Sequence, residues 1–258
     1  MLLAIDVGNT QVVVGLFEGD ELLDHWRVST NYERTADEHY LLLSQFLDQL
    51  DFAIERDVTG IAISSGVPRL TGTLRRMTAR YFGFSPVVLG PGVKTGMAIL
   101  YDDPKEVGAD RIANAVAAFS RHGGPTVVVD FGTATTIEAI SARGEYLGGA
   151  IMPGVEISMD ALFERAAGLR RVEIVEPPLH VIGKTTVQSV QSGVVFGYTA
   201  MVDGLVARFE QEMEGVSTVV STGGLGGLLA PISSRIEHHE PWLTLHGLRL
   251  VHQKNVGS

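Results

Sequence analysis

The sequence predicts an α/β protein built from a duplicated unit, and three observations carry that prediction. Apolar strand-like runs alternate with helical patterns along the whole chain, and no Pro/Ser linker or low-complexity tract interrupts them. The opening stretch MLLAIDVGNT, residues 1–10, delivers Asp6 into a turn of Gly8, Asn9 and Thr10, and VVVDFGTATT, residues 127–136, repeats that ending around Asp130. The 258 residues are 45% hydrophobic and 19% charged, enough for one large core or two ordinary ones.

The repeat extends past the motif. Asp6 and Asp130 stand 124 residues apart, and QVVVGLFEGDELL and TTIEAISARGEYL each read as a second strand, a glycine turn and the start of a third strand. The turn glycines, Gly19 and Gly144, differ by 125, so one inserted residue reconciles the copies. Two similar hairpins arising by chance are the alternative, because apolar strands and glycine turns are common.

Between the copies, Thr35 and Glu38 stand at capping-box spacing ahead of Leu43, Phe46, Leu47 and Leu50, which predicts a helix. GIAISSGVP predicts a short strand entering a turn. RLTGTLRRMTARYFG predicts a helix with Leu70, Leu74, Met77 and Tyr81 on one face, stopped by Gly83. SPVVLG reads as a strand. DRIANAVAAFSRHGG predicts a helix with Asp110 at its cap and Gly123 at its end, placed to link the two halves. A long helix is predicted over about 186–214. Its Gly193, Gly197 and Gly204 either weaken it by ~1 kcal/mol each relative to alanine, or admit another helix, such as one from a second subunit. STVVSTGG reads as a strand ending in a Gly-rich turn.

A formal charge of −10 and a pI near 5.2 argue against a nucleic-acid or acidic-membrane partner. An anionic substrate then needs locally placed donors. The absence of cysteine excludes disulfides, thiolate metal sites and cysteine nucleophiles. The first residues enter an apolar strand without a basic leader, and no uninterrupted apolar run approaches the ~20 residues of a spanning helix. The expectation is a soluble, cytoplasmic protein.

The two Asp-x-Gly turns are the first chemical candidates. A carboxylate at a strand tip suits Mg2+, which keeps its waters and takes few protein ligands. The small residues beyond it let backbone N–H groups and a hydroxyl reach phosphate oxygens. An ordinary surface turn uses the same residues, so either copy alone is weak. In YDDPKEVGADRIANA, residues 101–115, Asp110 and Arg111 open a helix whose N-terminus favours an anion. Asp110 is there either a plain cap beside a solvated Arg111, or a general base beside a fork for a substrate carboxylate. VIGKTTVQS is not a P-loop, because Pro178 occupies the place of the required first glycine. Thr185 or Thr186 more simply caps the next helix. Gly223 and Gly224 either make a bland turn or let a nucleotide approach the backbone. The eight histidines show no ligand-like spacing and read as structural.

DVGNT and DFGTATT resemble the two phosphate motifs of the actin-like ATPase superfamily. With EVGADR, GGAIMPG, GKTT and STGG in the same order, the chain resembles the type III pantothenate kinase family over essentially its whole length. EVGADR shortly before DFGTATT is the specific element. The resemblance implies duplicated ribonuclease H-like domains, 1–118 and 119–258, with a nucleotide cleft between them. It implies ATP-dependent phosphorylation of pantothenate to 4′-phosphopantothenate, the first step toward coenzyme A, by a homodimer. It implies ATP contacts along Asp6, Val7, Gly8, Asn9, Thr10, Gln11, Val12 and Val13, with Asp6 orienting Mg2+ through water, and a second phosphate contact at Thr133. Asp130 is implied as the ligand of a monovalent cation, K+ or NH4+. The implied pantothenate site comprises Tyr101, Gly108, Ala109, Asp110 and Arg111, with Asp110 as proton acceptor and Thr186 supplied by the partner subunit. Gln11-Val12 and Thr185 depart from the family's usual residues.

Overall fold

The computed structural model describes residues 1–166, 168–213, 215 and 217–256. In chain order its first elements are β1 (Leu2–Val7), β2 (Gln11–Glu18), β3 (Glu21–Ser29), α1 (Ala36–Asp48), α2 (Ile54–Asp57), β4 (Gly60–Ser65), α3 (Pro68–Tyr81), β5 (Val87–Val88), β6 (Ala98–Ile99) and α4 (Ala109–His122). Then follow β7 (Thr126–Phe131), β8 (Ala134–Ile140), β9 (Glu145–Pro153), α5 (Val155–Arg165), α6 (Thr186–Glu212), β10 (Thr218–Thr222), α7 (Gly226–Leu229), β11 (His238–His239) and α8 (Leu243–Val256). They form two units, one of Met1–Ala98, Asp102–Ala117 and Leu243–Ser258, the other of Ile99–Tyr101 and Ala118–Trp242. The helix read as the link, α4, crosses the boundary at Ala117.

In the first unit the sheet order is β3-β2-β1-β4-β5. Strands β1, β2 and β3 form an antiparallel meander, and β4 joins β1 in parallel. The central strand is buried on both faces, which its nearly unbroken apolar sequence reflects. Leu3, Ile5 and Val7 pack with Leu43 and Leu47 of α1 and with Leu70, Leu74 and Met77 of α3. The capping box forms: Glu38 N–H donates to Thr35 Oγ1, and Thr35 N–H donates to the Glu38 carboxylate at 2.7 Å.

Helix α8 returns from the far end of the chain to pack on β1, β2 and β4. Two strand glycines make room for it. A Cβ on Gly15 would sit 2.8 Å from Leu245 Cδ1, and one on Gly60 would sit 2.5 Å from the His252 ring.

The second unit repeats the plan. Its order β9-β8-β7-β10-β11 matches the first strand for strand, with β6 added beyond β9. The duplication reaches fine detail: each meander shifts register at a corresponding place, Leu16/Phe17 and Ala139/Ile140. Gly19 and Gly144 both adopt left-handed backbone, with φ of +58° and +76°. Val127, Val129 and Ile137 form the core with Val195, Val202 and Val206 of α6.

Thr185, not Thr186, caps α6, its hydroxyl accepting the Gln188 N–H at 3.2 Å. Of the range predicted for this helix, Glu214 lies outside the described residues. By length and composition α6 is long and apolar enough to cross a membrane. The polar residues scattered along it concealed this in the sequence. Ser192, Val195, Thr199, Val202 and Val206 recur at helical spacing and are buried in the unit. A Cβ on Gly193, Gly197 or Gly204 would meet nothing within 4 Å, so none of the other described segments presses on them.

Candidate active site

The first turn is built by the β1–β2 hairpin. Asp6, half-buried, is the last but one residue of β1 and pairs in register with Val13, while Val7 pairs with Val12. Gly8 N–H closes the intervening loop onto the Gln11 carbonyl at 3.0 Å. Asn9, Thr10 and Gln11 are exposed at its tip. The loop is braced from behind: Thr30 Oγ1–H donates to the Gly8 carbonyl at 2.7 Å and Tyr32 O–H to the Asn9 carbonyl at 3.2 Å. A strand-tip carboxylate followed by braced, small residues can present oxygen to a hydrated cation and N–H groups to phosphate.

The second turn repeats this in the other unit. Asp130 pairs with Thr136 and Phe131 with Thr135, leaving exposed Gly132 and Thr133 at the tip. Two glycines press upon it. A Cβ on Gly154 would fall 2.1 Å from the Thr133 carbonyl oxygen. Gly223, at φ +90°, leaves so little room that a Cβ would fall 2.6 Å from Asp130 Oδ1 and 2.7 Å from Phe131 N. The Gly-rich turn after β10 is therefore shaped by the neighbouring carboxylate, a role that STGG alone did not disclose. Thr135 Oγ1 beneath the turn is buried without a hydrogen-bond partner among the described residues.

Asp110 sits in the first turn of α4 rather than at its cap. Gly108 holds the cap position, its carbonyl accepting Ile112 N–H at 3.1 Å, and Ala109 is the first helical residue. Asp110 is exposed, and its Oδ1 accepts the Arg111 N–H at 2.8 Å. A Cβ at 108 would lie 2.4 Å from that same oxygen, so a side chain there would require the carboxylate to turn away. Arg111 is buried, at 8% exposure, so the solvated-arginine reading fails. A buried guanidinium is held only where its charge and donors are engaged.

α4 is itself set by α8. Thr244 Oγ1–H donates to Asn114 Oδ1 at 2.7 Å, and a Cβ on Gly247 would fall 2.0 Å from the Ala113 carbonyl. Sequence reasoning missed Gly247, whose only trace is a glycine inside the helical pattern LHGLRLV.

Tyr101 is half-buried in the second unit, its ring 6.4 Å from that of Tyr146 and in contact range of Gly148. The Tyr146 hydroxyl donates to Glu138, a fully buried carboxylate on β8 that no motif flagged. Thr186 is exposed at the start of α6 and lines a groove of about 520 Å3 with Ser158, Met159, Leu162 and Tyr198. The first unit thus carries the Asp6–Val13 turn and Gly108–Arg111. The second carries Tyr101, Asp130, Thr133 and Thr186. No cluster of three or more His, Cys, Asp or Glu suited to a metal occurs among the described residues. A single carboxylate at a strand tip suits a cation that keeps most of its waters.

A family model for type III pantothenate kinase matches residues 2–208. A type III pantothenate kinase of Myxococcus xanthus is 54% identical over 258 residues, spanning all of both chains. One from Moorella thermoacetica is 51% identical over 256 residues, covering 99% of this chain and 100% of its own. Among solved structures, a conserved Baf family protein from Campylobacter jejuni superposes with a TM-score of 0.61 at 20% identity, covering 99% and 100% of the two chains. A ROK hexokinase from Thermus thermophilus does so with a TM-score of 0.54 at 13% identity, covering 99% of each. At such identities the likeness concerns the fold, which is that of actin-like ATPases and sugar kinases.

Proposed function

The chain belongs to the type III pantothenate kinase family, and on that premise we propose that Asp110 is the proton acceptor of its reaction. The reaction is ATP-dependent phosphorylation of pantothenate to 4′-phosphopantothenate, the first step of coenzyme A biosynthesis. The primary hydroxyl of pantothenate attacks the γ-phosphorus of ATP. The new P–O bond forms as the bond to the β-phosphate oxygen breaks, ADP leaves, and the hydroxyl proton passes to the Asp110 carboxylate. The observation that carries this reading is an exposed carboxylate held at a helix N-terminus by a glycine that cannot be replaced without displacing it.

Arg111, buried beside Asp110, is the candidate to engage the substrate carboxylate, and Tyr101 supplies a packing face. The Asp6–Val13 turn and Thr133 meet the ATP phosphates. Mg2+ held through water at Asp6 and K+ or NH4+ at Asp130 would neutralise phosphate charge. A coupled kinase assay with pantothenate, with and without K+, tests the whole. In Asp130→Ala the K+ activation disappears while residual turnover persists; an unchanged K+ response removes Asp130 from cation binding.

The enzyme acts in the cytoplasm as a homodimer whose partner contributes Thr186. Support comes from the apolar side chains that the single chain leaves in water. Leu179 is 95% and Ile182 82% exposed, beside exposed Val175 and Val181, and Ile157 and Leu162 of α5 add to them. Ile182→Asp is expected to halve the sedimenting mass and to lower kcat with it. A dimer that survives this change, or full activity in a monomer, contradicts the arrangement.

A further inference from the structure

Glu138 and Tyr146 are both fully buried, and the Tyr146 hydroxyl donates to the Glu138 carboxylate. Glu138 stands two residues beyond Thr136 on β8, so it shares the sheet face of Thr136 and of its register partner Asp130. A carboxyl and a phenol cost more to bury than apolar side chains of the same size, because both must be desolvated. A leucine against a phenylalanine would fill the same space. What the polar pair adds is direction: a satisfied buried hydrogen bond fixes the tilt and rotation of the Tyr146 ring.

Tyr146 in turn holds the segment that carries Tyr101. Its carbonyl accepts the Leu100 N–H at 2.8 Å. Its ring stands 6.4 Å from the Tyr101 ring at 58°, within the range of a tilted aromatic pair. Gly148 adds a flat surface, where a Cβ would lie 3.9 Å from Tyr101 Cδ2 and Cε2. The strand ladder itself offers little hold, since β6 is two residues long and ends before Tyr101. Beyond Tyr101 the chain passes to the first unit. We propose that Glu138 and Tyr146 are positioning residues that hold the Tyr101 ring in the orientation in which it packs on pantothenate. The inference rests on the reading of Tyr101 as a pantothenate contact. Both residues are buried, so they act through Tyr101.

Steady-state kinetics of Tyr146→Phe test this, because phenylalanine keeps the ring and loses only the donor. The KM for pantothenate should rise about five- to tenfold, with kcat within about twofold and KM for ATP unmoved. A purely structural loss would lower the amount of active enzyme, and hence apparent kcat, without moving KM. Glu138→Ala should reproduce the rise, whereas Glu138→Gln, which keeps an acceptor oxygen, should restore KM to within about twofold of the parent. In a Tyr101→Ala background the Tyr146→Phe change should have no further effect on KM. Fluorine NMR of 3-fluorotyrosine-labelled protein, with the Tyr101 signal assigned through Tyr101→Phe, reads the position directly; that signal should narrow in Tyr146→Phe as the ring gains freedom. A pantothenate KM unmoved by Tyr146→Phe, a rise that persists in the Tyr101→Ala background, or an unchanged Tyr101 signal overturns the proposal. A Tyr101→Ala protein with the parent's KM would instead refute the reading of Tyr101 as a substrate contact, and the fluorine signal tells the two failures apart.

Discussion

Replacing Asp110 by Asn is expected to lower kcat at least about 10²-fold, the usual contribution of a positioned general base, while KM for ATP stays unchanged. Asparagine keeps an oxygen at Oδ1, so the 2.8 Å hydrogen bond from the Arg111 N–H and the start of α4 survive. What it loses is the capacity to take a proton. The thermal midpoint should therefore stay near that of the parent, separating a chemical from a structural effect. Gly108→Ala provides the opposite case. There the added Cβ displaces the carboxylate itself, and both kcat and the melting profile shift. Near-normal turnover in Asp110→Asn would leave the proton to another acceptor.

The second large effect is expected at Gly223. Alanine there must accept φ near +90°, at a cost of order 1–3 kcal/mol, before any contact is considered. Its Cβ would also lie 2.6 Å from Asp130 Oδ1 and from the Phe131 carbonyl carbon. Phe131 belongs to β7, pinned between β8 and β10, so its backbone cannot yield, and the Asp130 carboxylate must. We expect a loss of about 2–4 kcal/mol in stability together with a raised K+ requirement, read by thermal melting and by kinase assays over a K+ series. An unaltered K+ response in a folded Gly223→Ala protein would count against Asp130 as the cation ligand.

The duplication was legible because its signals are local. Alternation, a glycine turn and an aspartate at the strand tip occur within 15 residues of one another, and both copies fold as that pattern reads. The capping box at Thr35 and the apolar face of α3 were legible for the same reason. Gly154 and Gly223 stood inside recognised motifs, yet their physical task was not legible: each makes room for an atom that the sequence does not place next to it. Arg111 shows the limit from another side. Nothing in GADR distinguishes a buried guanidinium from a solvated one, since burial depends on elements distant in sequence. The pairing of Glu138 with Tyr146 and the seating of Gly247 on Ala113 are of that kind, contacts without a local period.

The placement of α8 bears on how the protein comes into being. Synthesis runs from the N-terminus, and the five strands and three helices of residues 2–88 leave the ribosome long before Leu243. Until the final segment emerges, one face of β1 and β4, shaped by Gly15 and Gly60 to receive Leu245 and His252, has no cover. The nascent first unit thus waits, with apolar surface open to chaperones, while the second unit can complete its own sheet. An incomplete chain that stops before residue 243 would leave α4 unbraced, and so could not set the Asp110 carboxylate in place.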